Sequence, residues 1–170
     1  MFAIVGLDLM ARLKTYPVIF IDTREQLPYE FKDYGVVTQV ETIHAGDYSC
    51  GTKKGDVITR YLDEISIERK TLDNWVGDIS STEGRERLEA SILMGSKKRY
   101  YAVFIEATSD EVFARKYKSL IPPQTVIDTA IRWSVKYKVP IEFVGDRTYA
   151  EYRTYEALMG FLDYKKRGIL

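Results

Sequence analysis

Ile65-Ser66-Ile67-Glu68-Arg69-Lys70 is the stretch on which the fold turns. Side chains along a strand alternate between its two faces, so Ile65 and Ile67 pack inward while Ser66, Glu68 and Lys70 share the other face. Residues 62–70 therefore read as a strand that ends with a carboxylate beside an ammonium. A cation-binding acid and a positive charge then meet where a phosphate fits.

Working outward, Val18-Ile19-Phe20-Ile21 after Tyr16-Pro17 is β-branched and aromatic, and reads as a buried strand ending at Asp22. Residues 36–42, 46–50 and 57–61 read as further strands, with Lys53-Lys54-Gly55-Asp56 as a hairpin tip. Thr71 caps a helix that starts near Leu72, has Asp73 in its first turn and gives way after Gly77. Residues 83–94 are helical in pattern, with Leu88, Ile92 and Leu93 on one side. Strands over 100–106 and 139–144 and helices over 124–138 and 148–166 complete the chain. A run of strands followed by alternating strands and helices predicts an α/β fold, a single domain with a mixed central β-sheet flanked by helices. Residues 1–16 are expected to be an N-terminal appendage and 17–167 the folded domain.

The chain has 170 residues, 45% hydrophobic and 29% charged, enough for one domain with its own core. Lys plus Arg and Asp plus Glu number 25 each, so a nucleic-acid surface must be a local patch. The single cysteine, Cys50, excludes an internal disulfide. The apolar opening from Met1 to Met10 has no basic leader and is too short to span a membrane. A cytoplasmic protein is expected, nuclear if eukaryotic, with no membrane partner. One histidine, His44, and one cysteine exclude zinc sites built on several of either. His44 reads as structural or incidental.

Two more acidic clusters sit at strand ends, Asp22-Thr23-Arg24-Glu25 and Gly46-Asp47. Phosphodiester hydrolysis needs charge stabilisation and an activated water, and a carboxylate-held divalent cation supplies both. Asp47 and Glu68 are the expected ligands, with the backbone carbonyl of Arg69 between Glu68 and Lys70. Asp22 and Glu25 complete the acidic cluster, Asp22 as a further ligand or outer partner. Lys70 orients or deprotonates water and offsets phosphate charge. Mg²⁺ or Mn²⁺ is the expected cofactor.

These residues resemble the XPF-type structure-specific DNA endonucleases of the PD-(D/E)XK superfamily. Gly46-Asp47, Glu68-Arg69-Lys70 and Asp22-Thr23-Arg24-Glu25 match that family's motifs, and Trp75-Val76-Gly77 and Gly84-Arg85-Glu86-Arg87 look like its next two helices. The resemblance implies a restriction-endonuclease-like fold and a metal-dependent DNA endonuclease acting on branched, flap or junction DNA. A catalytically silent DNA-binding or partner-stabilising domain is the alternative. An exonuclease or resolvase of the same superfamily would use the same site.

Where the family places Asp, four residues after the lysine, this chain has Asn74. Asp73 points about 100° away around a helix and does not replace it; Asn74 is expected to support Lys70 or Arg69 by hydrogen bonding. Arg24, Arg69, Arg85 and Arg87 are the expected phosphate contacts. The family's helix-hairpin-helix modules are not expected within this chain. Grip on DNA is therefore expected from a homodimer or heterodimer formed through the C-terminal helices, with Ile127, Ile131, Val135, Leu158, Phe161 and Leu162 as the apolar surface.

Overall fold

Alternating apolar residues build a sheet covered on both faces. A computed structural model describes residues 14–170. Its strands are β1 (Thr15–Asp22), β2 (Val37–Glu41), β3 (Tyr48–Lys54), β4 (Val57–Arg60), β5 (Ile65–Thr71), β6 (Tyr100–Glu106) and β7 (Ile141–Phe143). Its helices are α1 (Leu72–Ser80), α2 (Thr82–Gly95), α3 (Ser109–Phe113), α4 (Pro123–Tyr137) and α5 (Arg147–Lys166). The seven strands form one mixed sheet in the order β2-β1-β3-β5-β6-β7, with β4 paired to β3. β5, β6 and β7 run parallel, whereas β3 is antiparallel to β1, β4 and β5. Thirteen residues of the expected N-terminal appendage lie outside the described residues, and β1 takes in Thr15 and Tyr16.

Period-two alternation divides the core. Val103 and Ile105 pack with Trp75, Ile79, Leu88, Ile92 and Trp133 from α1, α2 and α4. Their neighbours Ala102 and Phe104 pack with Ile65, Ile67, Tyr48, Leu158 and Phe161 on the α5 side. β3 meets β5 through a single pair, Tyr48 opposite Ile67. One residue earlier, the Asp47 amide donates to the Ile67 carbonyl at 2.8 Å, which fixes Asp47 against β5.

Three expectations require correction. α1 does not stop at Gly77 but continues to Ser80, because burial of Trp75, Val76 and Ile79 outweighs the roughly 1 kcal/mol cost of a helical glycine. Leu93 is exposed rather than facing the core with Leu88 and Ile92. Leu158 and Phe161 are buried against the sheet and offer no pairing surface, whereas Ile131 and Val135 on α4 are 58% and 76% exposed. The short α3 was missed, although Thr108 and Glu111 form a capping box there. Among the described residues no helix is long and apolar enough to cross a membrane.

Ile67 is fully enclosed at the only β3–β5 pair. Ile67→Ala should cost about 2–5 kcal/mol in urea denaturation; a loss below about 1 kcal/mol would show that this junction does not hold the sheet together.

Candidate active site

The turn before β3 has space only for glycine. Gly46 has φ +92°, and a Cβ there would lie 2.8 Å from the Ser66 Cβ. The close approach sets Asp47 beside β5, where its Oδ2 accepts the Arg69 amide at 2.7 Å. A side chain thus continues the hydrogen-bond ladder where the β3 backbone leaves it. Lys98 anchors the same turn from behind, its Nζ donating to the carbonyls of Ala45 (2.9 Å) and Leu62 (2.7 Å) and to Ser66 Oγ (2.8 Å).

Glu68 and Lys70 stand on the face toward α1 and α2, as alternation predicts. Lys70 Nζ lies 3.2 Å from Glu68 Oε1 and 3.1 Å from Asp78 Oδ2. Burial opposes the charge on Lys70, but Glu68 and Asp78 outweigh it and raise its pKa above the ordinary value. Lys70 is thereby held as a cation. Tyr101, pushed well up by burial and by Glu68, stays a neutral phenol 3.5 Å from Glu68 Oε2. Asp47, Glu68 and Lys70 line two adjoining clefts, and Arg24 stands at both rims. Asn74 lines one of them, and His44 sits exposed in the other. A larger apolar groove of about 450 Å³, lined by Pro17, Tyr61, Met159 and Leu162, contains none of these groups.

Asp22, Glu25 and Arg69 are each engaged by other protein groups, although Glu25 and Arg69 also line the outer cleft and the Glu25 charge acts on Asp47. Asp22 Oδ1 accepts from the Arg24 amide and Nε, and its Oδ2 from the Ile43 amide. Burial raises the Asp22 pKa, but these hydrogen bonds outweigh it and keep the carboxyl below its usual range. Arg69 alternates to the opposite face from Glu68 and Lys70, so its guanidinium, 6% exposed, lies between Glu25 (3.4 Å) and Glu106 (3.5 Å). Glu106 also accepts from Tyr29 and Arg147, and both arginines lie over the Tyr29 ring. Arg69 is therefore a structural cation and not a phosphate contact, and Glu25 is its partner. Among the described residues no group of three or more His, Cys, Asp or Glu is arranged to hold a metal ion.

Of the remaining basic residues, Arg24 and Arg87 have side chains 69% and 71% exposed and line the cleft. Arg85 turns instead to α4, its guanidinium 5.6 Å from the Trp133 ring centroid. Arg99 and Lys165 both pair with Glu64. Sequence reasoning missed Asp78 and Glu106, and it reads Lys98 only as part of the basic run Lys97-Lys98-Arg99 at a solvated helix end, whereas its Nζ is tied down inside the fold. Asp78 lies one helical turn after Asn74, and that spacing would have revealed it had the helix been carried through Gly77. Glu106 ends the strand beside β5, a position that could have marked it; nothing in the sequence singles out Lys98.

The pair Asp47–Glu68 suits a divalent cation. Burial and the Glu68 charge push the Asp47 carboxyl from an ordinary 3.8 up to about 8, so negative charge is in excess there. The Arg69 carbonyl shares the strand edge from which the Arg69 amide reaches Asp47, giving a third oxygen. Between those two pKa values the folded protein retains a proton that the unfolded chain has released, so its stability falls as pH rises. Metal-free protein should melt lower at pH 8 than at pH 5, Asp47→Asn should remove that slope, and Mn²⁺ should raise the melting temperature more at pH 8. Asp22 contributes in the opposite sense, and only as pH falls below its ordinary carboxylate range. A melting temperature indifferent to both pH and Mn²⁺ would contradict a charge-excess site.

The model of the ERCC4 domain matches residues 21–151. Among solved structures, XPF from Aeropyrum pernix superposes with a TM-score of 0.58 at 15% sequence identity, covering 84% of this chain. The chain spans 60% of the length of that XPF chain. No curated protein matches. With the family model matched over most of its length, the chain belongs to the ERCC4 domain family.

Proposed function

We propose that this domain is a divalent-metal-dependent DNA endonuclease acting on branched, flap or junction DNA. The observation that carries the reading is the convergence of Asp47, Glu68 and Lys70 on shared clefts, with Arg24 and Arg87 exposed at the rim. Asp47, Glu68 and the Arg69 carbonyl would hold Mg²⁺ or Mn²⁺. When bound, the cation supplies positive charge to the phosphate oxygens and activates water.

The protein's own groups do the positioning. The Arg69 amide fixes one Asp47 oxygen, leaving the other for a ligand. Lys70 keeps its proton at Nζ and offsets charge on the scissile phosphate. Arg24 and Arg87 grip flanking phosphates, an interaction that weakens with salt and ignores sequence. Pairing with a second nuclease domain is proposed through the α4 face bearing Ile131 and Val135.

The decisive experiment compares flap, splayed, Holliday and linear DNAs with Mg²⁺ or Mn²⁺, beside the Glu68→Gln variant. Wild type should cleave a branched substrate endonucleolytically, and Glu68→Gln should lower the rate at least about 100-fold with the fold intact. Equal rates would reject the assignment, and cleavage only from free ends would make the enzyme an exonuclease. Lys70→Ala should reduce turnover more than Mn²⁺ affinity measured by calorimetry; unchanged turnover would remove its role.

DNA binding separates the arginines. Arg87→Gln should lower the slope of log affinity against log salt by about 1, whereas Arg85→Gln should leave it unchanged. The reverse pattern would move the DNA path to the α4 side.

A further inference from the structure

Asp78 is a charged group in contact with Lys70 that the proposed chemistry does not use. It projects from α1 into the cleft that Lys70 and Glu68 line, and little of it is exposed. Oδ2 lies 3.1 Å from Lys70 Nζ, and Oδ1 accepts from Arg87 Nη2 at 2.6 Å. Glu68, at 3.2 Å, is the other carboxylate on Lys70. An ammonium has three protons, so these two partners leave one for a ligand.

The two partners are not equivalent. Glu68 sits beside Asp47 and is a proposed cation ligand, so a bound cation would draw its charge away from Lys70. Asp78 has no such second duty toward the cation. The neighbouring acid on the same helix is also unavailable, because Asp73 Oδ1 accepts the Lys118 amide at 3.0 Å. Asn74 is uncharged and lies one turn before Asp78, on the same face and lining the same polar cleft.

We infer that Asp78 is the positioning residue for Lys70: it holds the ammonium in place when Glu68 is engaged by a cation, supplying from the second turn of α1 a carboxylate that its first turn lacks toward the site. The inference rests on the nuclease reading for its catalytic consequence but not for the contact itself. Through Arg87 the same carboxylate ties the orientation of Lys70 to a rim group that meets DNA.

Two measurements test it, one independent of activity. In metal-free protein carrying Glu68→Gln, which takes the other carboxylate off the ammonium as a bound cation would, nitrogen-detected NMR should show a slowly exchanging Lys70 ammonium signal, assigned by its loss in Lys70→Arg; the further changes are made in this background. Asp78→Asn, nearly isosteric, should broaden or abolish that signal, while Asp78→Glu and the double variant Asn74→Asp/Asp78→Asn should retain it. In cleavage assays Asp78→Asn should lower kcat by about 100-fold, the scale expected of a displaced catalytic group, with KM little changed, and the double variant should recover most of the loss. A Lys70 signal indifferent to Asp78→Asn overturns the inference, as does a variant with reduced thermal stability but unchanged kcat. A signal that follows Asp78 in a protein that cleaves none of the DNAs upholds the contact and overturns the nuclease reading instead.

Discussion

Strand β5 is packed on both faces, and its alternation decides on which side each of its own charges lies. Ile65 and Ile67 face α5, and Arg69 must follow them, meeting Glu25 and Glu106 rather than solvent. Ser66, Glu68 and Lys70 face α1 and α2, and Asp47 joins them from the end of β3. One tripeptide therefore contributes two chemically separate groups. Glu68 and Lys70 face the cleft, while Arg69 cements the scaffold behind them.

The excess of negative charge on the cleft side follows from that division. Had Arg69 shared the face of Glu68, its guanidinium would have neutralised the carboxylates and left nothing for a cation to balance. Sent to the other face, it gives only its backbone amide to Asp47. Burial and the Glu68 charge then raise the affinity of Asp47 for a proton, and they favour a divalent cation by the same electrostatics.

Much of this was legible in the residues. The buried runs at 18–21, 65–67 and 100–106 became strands because β-branched and aromatic side chains fill a two-sided sheet. Thr71 capped α1 as read, its hydroxyl accepting the Asn74 amide. Period two, applied to Ile65 and Ile67 but not carried on to Arg69, would have placed that guanidinium correctly. Other features were hidden for physical reasons. Gly77 looked like a helix end because intrinsic propensity carries no information about the core that α1 packs on. The same limit hid Asp78, whose importance depends on the helix continuing. Arg85 faces α4 because of how α2 packs on its neighbours, which a glycine followed by two spaced arginines does not encode. Lys98 reaches Ala45 across 53 positions of sequence, and no local pattern announces such a bridge.

The Glu106 network has a mechanical consequence. Through Arg69 and Arg147 this one carboxylate links β5 and the start of α5, and both arginines also grasp the Leu27 carbonyl. Leu27 belongs to the loop that walls the outer cleft. Widening that wall would break several charge-assisted bonds at once, so the wall is stiff, and any ligand entering the outer cleft must fit the protein rather than the reverse.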